Sequence, residues 1–406
     1  MRFPFPSRSL TRLFTCLTIA LAAACFSTQQ LSAQRQTVTR LDDSKISPEQ
    51  IDGTVTKFMA AGHVTGAGIA IFNEGKVVYL KAYGFRDKER NLPLTPDSIM
   101  TAASLTKSAF ATVVMQLVHE HLIDLDKPVY KYLPKPLPQY ENYKDLAGDE
   151  RYKLITMRML LSHTAGFANW RWLTDANKLR IYFTPGTRFA YSGEGIDLAQ
   201  LIAETVTHKS INQLMRARLF QPLHMTRSSM SFDKRFANNQ ATRYDEHEKS
   251  LGPEHREKAD AAGSMQTTLR DYSRLVQAVL SGSFLGPDER NEMLSPQIWI
   301  TSKHEFPSLE NEPTKENNAI HLSYGLGWGL YLTKYGEVFF KEGHDEGWRN
   351  YVACFDQPKT GLLIMTNSSN GEDIYSGLLE NLIGDTFTPL EWERFKPSAN
   401  LHVDHP

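Results

Sequence analysis

Apolar positions along this chain follow two rhythms, and the change from one to the other lays out its architecture. Two short apolar runs, 68–72 and 77–83, flank Asn73-Glu74-Gly75-Lys76, which is a β-hairpin signal. Past Ser104 the period changes. Phe110, Val113, Val114, Leu117 and Val118 recur at i, i+3, i+4, i+7 and i+8, predicting a core-packed helix with Ser104 at its N-terminus. Ahead of the hairpin, Ser47-Pro48-Glu49-Gln50 joins a capping-box serine and glutamine to a proline at the first helical position, predicting a helix to about residue 59. From 104 to about 260 the pattern is mostly helical, with candidates at 157–162, 196–206 and 211–219 separated by Pro and Gly. Strand signals return at 326–332, 338–341, 348–355 and 362–366. These runs predict an α/β fold: a mainly antiparallel sheet, flanked by helices, whose two parts are separated by an inserted helical region. There is no internal repeat or low-complexity tract. The polar stretch 302–321 reads as a binding lid or as a solvated excursion.

The start of the central helix carries the chemistry. In Ser104-Leu105-Thr106-Lys107 the spacing i, i+3 puts a lysine amine on the same helix face as a serine hydroxyl, which needs a nearby base to become a nucleophile. Burial disfavours the charged lysine, and the positive end of the helix dipole favours negative charge developing near Ser104. A second pair with this spacing, Ser231 and Lys234, is followed by residues without apolar period and reads as a surface loop.

Composition narrows the partners. A chain of 406 residues with a formal net charge of −1 offers no electrostatic case for nucleic acid, leaving small molecules or short peptides and esters. Arg2, Arg8 and Arg12 precede the apolar run 13–26, and Leu31-Ser32-Ala33 ends in a small residue, so 1–33 reads as a signal peptide on an exported, periplasmic or extracellular protein. Cleavage before Cys25 instead would leave a lipid-anchored cysteine. No segment reads as a membrane span. The mature chain keeps Cys354 alone, in an apolar run, as a buried structural thiol. His119-Glu120-His121 puts its histidines on different helix faces, so no metal and no cofactor are expected.

Taken together, Ser104-Leu105-Thr106-Lys107, Leu160-Leu161-Ser162-His163-Thr164-Ala165-Gly166-Phe167, Pro185-Gly186-Thr187-Arg188-Phe189-Ala190-Tyr191-Ser192-Gly193, Ala262-Gly263-Ser264-Met265 and Tyr324-Gly325-Leu326-Gly327-Trp328 resemble the serine β-lactamase and penicillin-binding-protein superfamily. The resemblance covers roughly 45–385 and is specific to the class C-like branch that also holds esterases and D-amino-acid peptidases. It implies the β-lactamase/transpeptidase-like fold, with an α/β part at about 45–103 and 262–386, a helical part at about 104–261, and a tail at 387–406 after a single domain spanning 34–386. It also implies a Tyr-x-Asn motif, for which Tyr191 is preferred to Tyr140 because it follows the Pro-Gly lead-in. Gly193 then stands where asparagine is usual, removing an amide-binding donor and favouring esters.

For the family's Lys-Thr-Gly or His-x-Gly motif, Lys359-Thr360-Gly361 fits by letter but lies in a tight turn, which the strand 348–355 would carry roughly 25 Å from the expected place. The preferred match is Gly343-His344-Asp345-Glu346-Gly347, with His344 binding a substrate carboxylate or stabilising Tyr191, and the Gly347 N–H joining that of Ser104 in an oxyanion hole. Glu346 departs from the usual glycine. His163 reads as ordering a helix end, Trp328 and Trp348 as core, and Asp345 as a turn residue. The resulting expectation is a secreted serine hydrolase acting through an acyl-enzyme on carboxylic esters or small amides. Ser104 is its nucleophile, and Lys107 and Tyr191 move protons. The alternatives are a penicillin-binding or sensing protein with slow turnover and a D-amino-acid peptidase or carboxypeptidase.

Overall fold

The hairpin expected around Asn73 lies inside the main sheet. Gly66–Asn73 (β1) and Lys76–Asp87 (β2) pair antiparallel through Glu74 and Gly75, whose φ values of 50° and 70° make the primed type of turn that matches strand twist. A computed structural model describes Met1 and residues 37–395, apart from 176 and 311; the expected leader and Cys25 lie outside the described residues. The further strands of the sheet are Leu92–Pro93 (β3), Ile298–Trp299 (β4), Ser323–Tyr324 (β5), Gly329–Thr333 (β6), Gly336–Asp345 (β7), Trp348–Phe355 (β8) and Thr360–Thr366 (β9). They assemble with β1 and β2 in the spatial order β4-β5-β6-β7-β8-β9-β1-β2-β3, every neighbour antiparallel.

Both faces of this sheet are covered, so the period-2 pattern serves two cores rather than one core and solvent. In β1, Ile69 and Ile71 face a core built with Pro48–Ala61 (α1), through Ile51, Val55 and Phe58. Ala70 and Phe72 face the other core, which contains Leu105–His119 (α2) through Phe110, Val113 and Val114. Both halves of the expected capping box form at the start of α1: Gln50 N donates to Ser47 Oγ at 3.3 Å and Ser47 N to Gln50 Oε1 at 2.8 Å. Helix α2 is buried on almost every side, and Cys354 is buried in the same core.

The helical region holds Met157–Leu161 (α3), Gly193–Thr207 (α4) and Ile211–Met215 (α5), the last continuing as a π-helix over Arg216–Phe220. Short pairings that the apolar pattern did not reveal also occur. Thr242–Tyr244 pairs with Ser250–Pro253, and Met100–Thr101 with Gln266–Thr267. Strands of two to four residues are too short for period 2 to register. Leu269–Ser281 (α6) then packs on the α2 side of β1 and β2. Among the described residues no helix is long and apolar enough to cross a membrane.

Candidate active site

Ser104 is delivered to the site by a brief strand and a strained turn. Met100–Thr101 is tied to Gln266–Thr267, Ala102 N donates to Met265 O at 2.8 Å, and Ala103 takes φ 48° before α2 begins. Leu105 N and Thr106 N bond back to Ala102 O and Ala103 O at 3.1 and 3.0 Å, closing the first turn around Ser104. One turn later, Lys107 Nζ lies 2.9 Å from Ser104 Oγ and donates to Ala262 O at 2.5 Å. Lys107 is 1% exposed. Burial, reinforced by the charge of Lys341, brings its pKa down to about 7, so a large fraction is neutral amine at physiological pH.

Tyr191 completes the cluster. Its phenol hydrogen-bonds Ser104 and accepts a bond from Lys341 Nζ at 3.0 Å. Burial, and after it the Glu342 charge, holds its pKa well above the ordinary tyrosine value, keeping it a neutral phenol. The ring packs 4.3 Å from that of His163, and Lys107 Nζ sits 5.0 Å from its centroid. His163 follows α3 with φ 57°. It accepts Ser192 N–H on Nδ1 at 3.2 Å and Ala190 N–H on its carbonyl at 2.8 Å, which clamps the backbone on either side of Tyr191. Desolvation lowers its pKa, so it is a neutral positioning residue.

Lys341 is the residue that sequence reasoning missed. Lys341-Glu342-Gly343 has the Lys-x-Gly form, but glutamate replaces threonine and concealed it. The available signal was a lysine closing the apolar strand run Val338-Phe339-Phe340. Because β6 pairs only with 336–340, the half of β7 from Lys341 onward has no strand partner on that side among the described residues and forms an open edge. Gly343 lets this edge approach α2: a Cβ there would lie 2.5 Å from Ala102 O and 3.0 Å from Leu105 Cγ. Asn350 on β8 fastens the same contact, its Nδ2 donating to Thr101 O at 3.0 Å and Ala102 O at 3.2 Å.

The structure corrects the expected oxyanion donor. Glu346 and Gly347 are the two turn residues between β7 and β8, Gly347 has φ 74°, and its N–H donates to Ser369 Oγ at 3.1 Å. Glu346 is exposed, 3.7 Å from Arg243. Counting back from the closing pair Asp345 and Trp348, an antiparallel ladder alternates bonded and non-bonded pairs. His344 falls on a non-bonded pair, so its N–H faces the open edge. The His344 side chain does not stabilise Tyr191, a place taken by Lys341. It lies at the cavity mouth 3.7 Å from Glu372, with its pKa lowered to about 4 by desolvation and the Arg349 charge. Lys359 is a turn residue with φ 52°, paired with Asp356 at 2.8 Å.

Gly193 contributes no group to the cavity. Its N–H bonds Asn169 O and Oδ1, each at 3.0 Å, and a Cβ would meet the Trp170 ring at 2.3 Å. Arg171 holds this segment against α4 through Glu194, at 2.8 and 2.6 Å. The indole thus fills the place of the expected asparagine side chain and stacks on Trp172 at 4.7 Å. Gly193→Asn is expected to destabilise the protein by about 1–3 kcal/mol through overpacking, seen as a lower thermal midpoint. An unchanged midpoint would mean that the indole yields freely.

These groups line a cavity of about 820 Å³, with Ser104, Lys107 and Tyr191 on its wall. From the polar stretch 302–321, Glu305 and Phe306 form part of that wall, and the Phe306 ring lies 5.3 Å from Tyr191. Glu305, Glu342 and Glu393 meet here as a buried carboxylate cluster invisible in sequence spacing. A general base, a hydroxyl, a phenol and open-edge amides around one cavity can carry out acyl transfer.

A protein-family profile described as Beta-lactamase matches residues 51–381. Protein flp of Staphylococcus aureus (strain N315) is 24% identical over 347 residues, which is 81% of this chain but only 64% of that protein's length. Esterase EstB of Burkholderia gladioli is 25% identical over 202 residues, 43% of this chain and 50% of the relative. The octameric penicillin-binding protein homologue from Pyrococcus abyssi superposes with a TM-score of 0.66 at 23% identity, covering 86% of this chain and 79% of that one. The D-alanine carboxypeptidase AmpC from Burkholderia cenocepacia gives 0.63 at 20%, covering 78% and 93%. The two structures share the fold.

Proposed function

Because this chain belongs to the beta-lactamase family, we propose that it is a serine hydrolase acting through an acyl-enzyme on carboxylic esters or small amides. The observation that carries the reading is Lys107, buried, with a pKa near 7 and Nζ 2.9 Å from Ser104 Oγ. Ser104 attacks the acyl carbonyl and passes its proton to the neutral Lys107 amine. The backbone N–H groups of Ser104 and His344 hold the developing oxyanion. Tyr191 gives its phenolic proton to the leaving group, and the Lys341 ammonium stabilises the phenolate charge that develops. Water then attacks the acyl carbonyl and gives a proton to the Tyr191 phenolate; the bond between the acyl carbon and Ser104 Oγ breaks, and Lys107 returns its proton to Ser104, releasing the acid and restoring the resting residues.

The absent donor at Gly193 weighs toward esters, and the relative named an esterase is in keeping with that. The leader reading makes the mature protein, from residue 34, an exported one. Steady-state hydrolysis of p-nitrophenyl acetate by the purified protein tests the reading. Turnover well above background is the expected result. An absence of turnover, with no covalent adduct on the protein, would overturn it.

A further inference from the structure

Three carboxylates from distant parts of the chain share one buried corner of the cavity. One oxygen from each of Glu305, Glu342 and Glu393 lies within 4.8 Å of the others, and the residues are 2, 5 and 4% exposed. Collecting carboxylates away from water is costly unless cations or hydrogen-bond donors offset it. Two such groups are in place. Lys341 Nζ donates to Glu342 Oε1, and Tyr351 donates to Glu393 Oε2 at 2.7 Å. Glu305 Oε1, Glu305 Oε2 and Glu393 Oε1 remain buried with no hydrogen-bond partner among the described residues. A further unpartnered oxygen comes from outside the cluster: the buried Tyr324 hydroxyl, carried on β5 within reach of all three carboxylate charges.

Charge and ligand chemistry name the missing partner. Set against the Lys341 ammonium, three carboxylates leave two negative charges, which one dication cancels. Lys341 stays on the side of Glu342 Oε1, so the unpartnered oxygens are left for the ion. Carboxylate donors, with no His or Cys among them, select a hard cation over zinc or copper. Ligands on opposite sides of a calcium ion stand about 4.6–5.2 Å apart, twice the calcium–oxygen distance, so oxygens this close together can share one ion. The two free oxygens of Glu305 offer the bidentate carboxylate that calcium accepts, whereas magnesium keeps more of its water. Tyr351 and Lys341 hold the other two carboxylates from behind, as the outer partners of metal ligands do. All three glutamates line the cavity of about 820 Å³, which gives the ion an entry path and water for its remaining positions.

We propose that Glu305, Glu342 and Glu393 form a calcium site that staples the cavity wall. Its ligands come from the polar stretch 302–321, from the open edge of β7 and from the segment that follows β9. The first and last of these already meet through Glu305 N, which donates to Trp392 O at 2.9 Å. The ion ties both to β7. It thereby holds Phe306, the neighbour of Glu305, in place against Tyr191.

Binding rather than turnover tests this site, whether or not Ser104 accepts an acyl group. Protein stripped with EDTA and dialysed is titrated at pH 7 with calcium chloride and, separately, magnesium chloride by calorimetry, and its thermal midpoint is read with and without calcium. One calcium per chain is expected, with a dissociation constant of about 1 mM or tighter and magnesium weaker by about tenfold or more. The midpoint should rise in calcium. Glu305→Gln and Glu393→Gln should each weaken calcium binding by about tenfold or more and abolish that rise. Each variant removes one of the buried like charges, so a cooperative transition without calcium is expected of both, and either one suffices for the comparison. No heat and no shift at about 10 mM calcium would overturn the site, leaving protons to neutralise the cluster. Binding that neither variant weakens would place the ion elsewhere and overturn it too, as would magnesium binding as tightly as calcium.

Discussion

Replacing Lys107 by methionine lowers kcat/KM for ester hydrolysis by about a hundred- to ten-thousand-fold, the range spanned by a positioned general base. Methionine preserves most of the buried volume but offers no basic lone pair. The pH profile is the sharper readout. Below pH 7 the Lys107 amine is protonated and cannot accept the Ser104 proton, so the wild-type rate should rise as pH passes through about 7 and level off above it. Asp197 lines the same cavity, and its carboxyl is also pushed up to about 7, chiefly by burial. The two groups are separable. The Asp197 charge raises the Lys107 pKa, so Asp197→Asn should shift the rising limb to lower pH, while Lys107→Met should remove it. A limb that survives in Lys107→Met would assign the base elsewhere.

Gly343→Val should cost about a hundred- to a thousand-fold in kcat, the loss associated with one oxyanion donor. The cause is steric. Even a Cβ at this position would lie 2.5 Å from Ala102 O, a backbone atom held by the strand that delivers Ser104. The open edge of β7 must therefore move away from α2, taking the His344 N–H out of reach of the acyl oxygen. Rates in the variant should fall with little change in the pH limb, because Lys107 and Ser104 stay together on α2. A variant with kcat within a few-fold of wild type would mean that the β7 edge takes no part in holding the oxyanion.

What the sequence made legible was whatever local pattern encodes. The i, i+3 spacing on an apolar helix located Ser104 and Lys107, and the Asn73-Glu74-Gly75-Lys76 turn located the hairpin because φ > 0 at two successive positions has few sequence solutions. Long-range geometry was less accessible. Gly347 was misread because letters do not reveal that a two-residue turn follows Asp345 and sends that N–H to Ser369. Lys341 escaped because glutamate follows it, although a lysine that is 0% exposed inside a sheet needs a partner, and Tyr191 with Glu342 supplies it. Trp170 could not be foreseen at Gly193, since the two are joined only by the fold of the 169–172 segment. The Glu305, Glu342 and Glu393 cluster shares the same difficulty: no spacing rule connects residues 37 and 51 positions apart.

Acyl transfer at this site requires a covalent bond to Ser104. Intact-mass analysis of the purified protein after brief exposure to a fluorophosphonate, with peptide mapping and Ser104→Ala in parallel, measures that bond. The expected result is one adduct per chain, mapped to Ser104 and lost in Ser104→Ala, with slower labelling below pH 7 as Lys107 becomes protonated. An adduct on another residue, or equal labelling of the alanine variant, would contradict it.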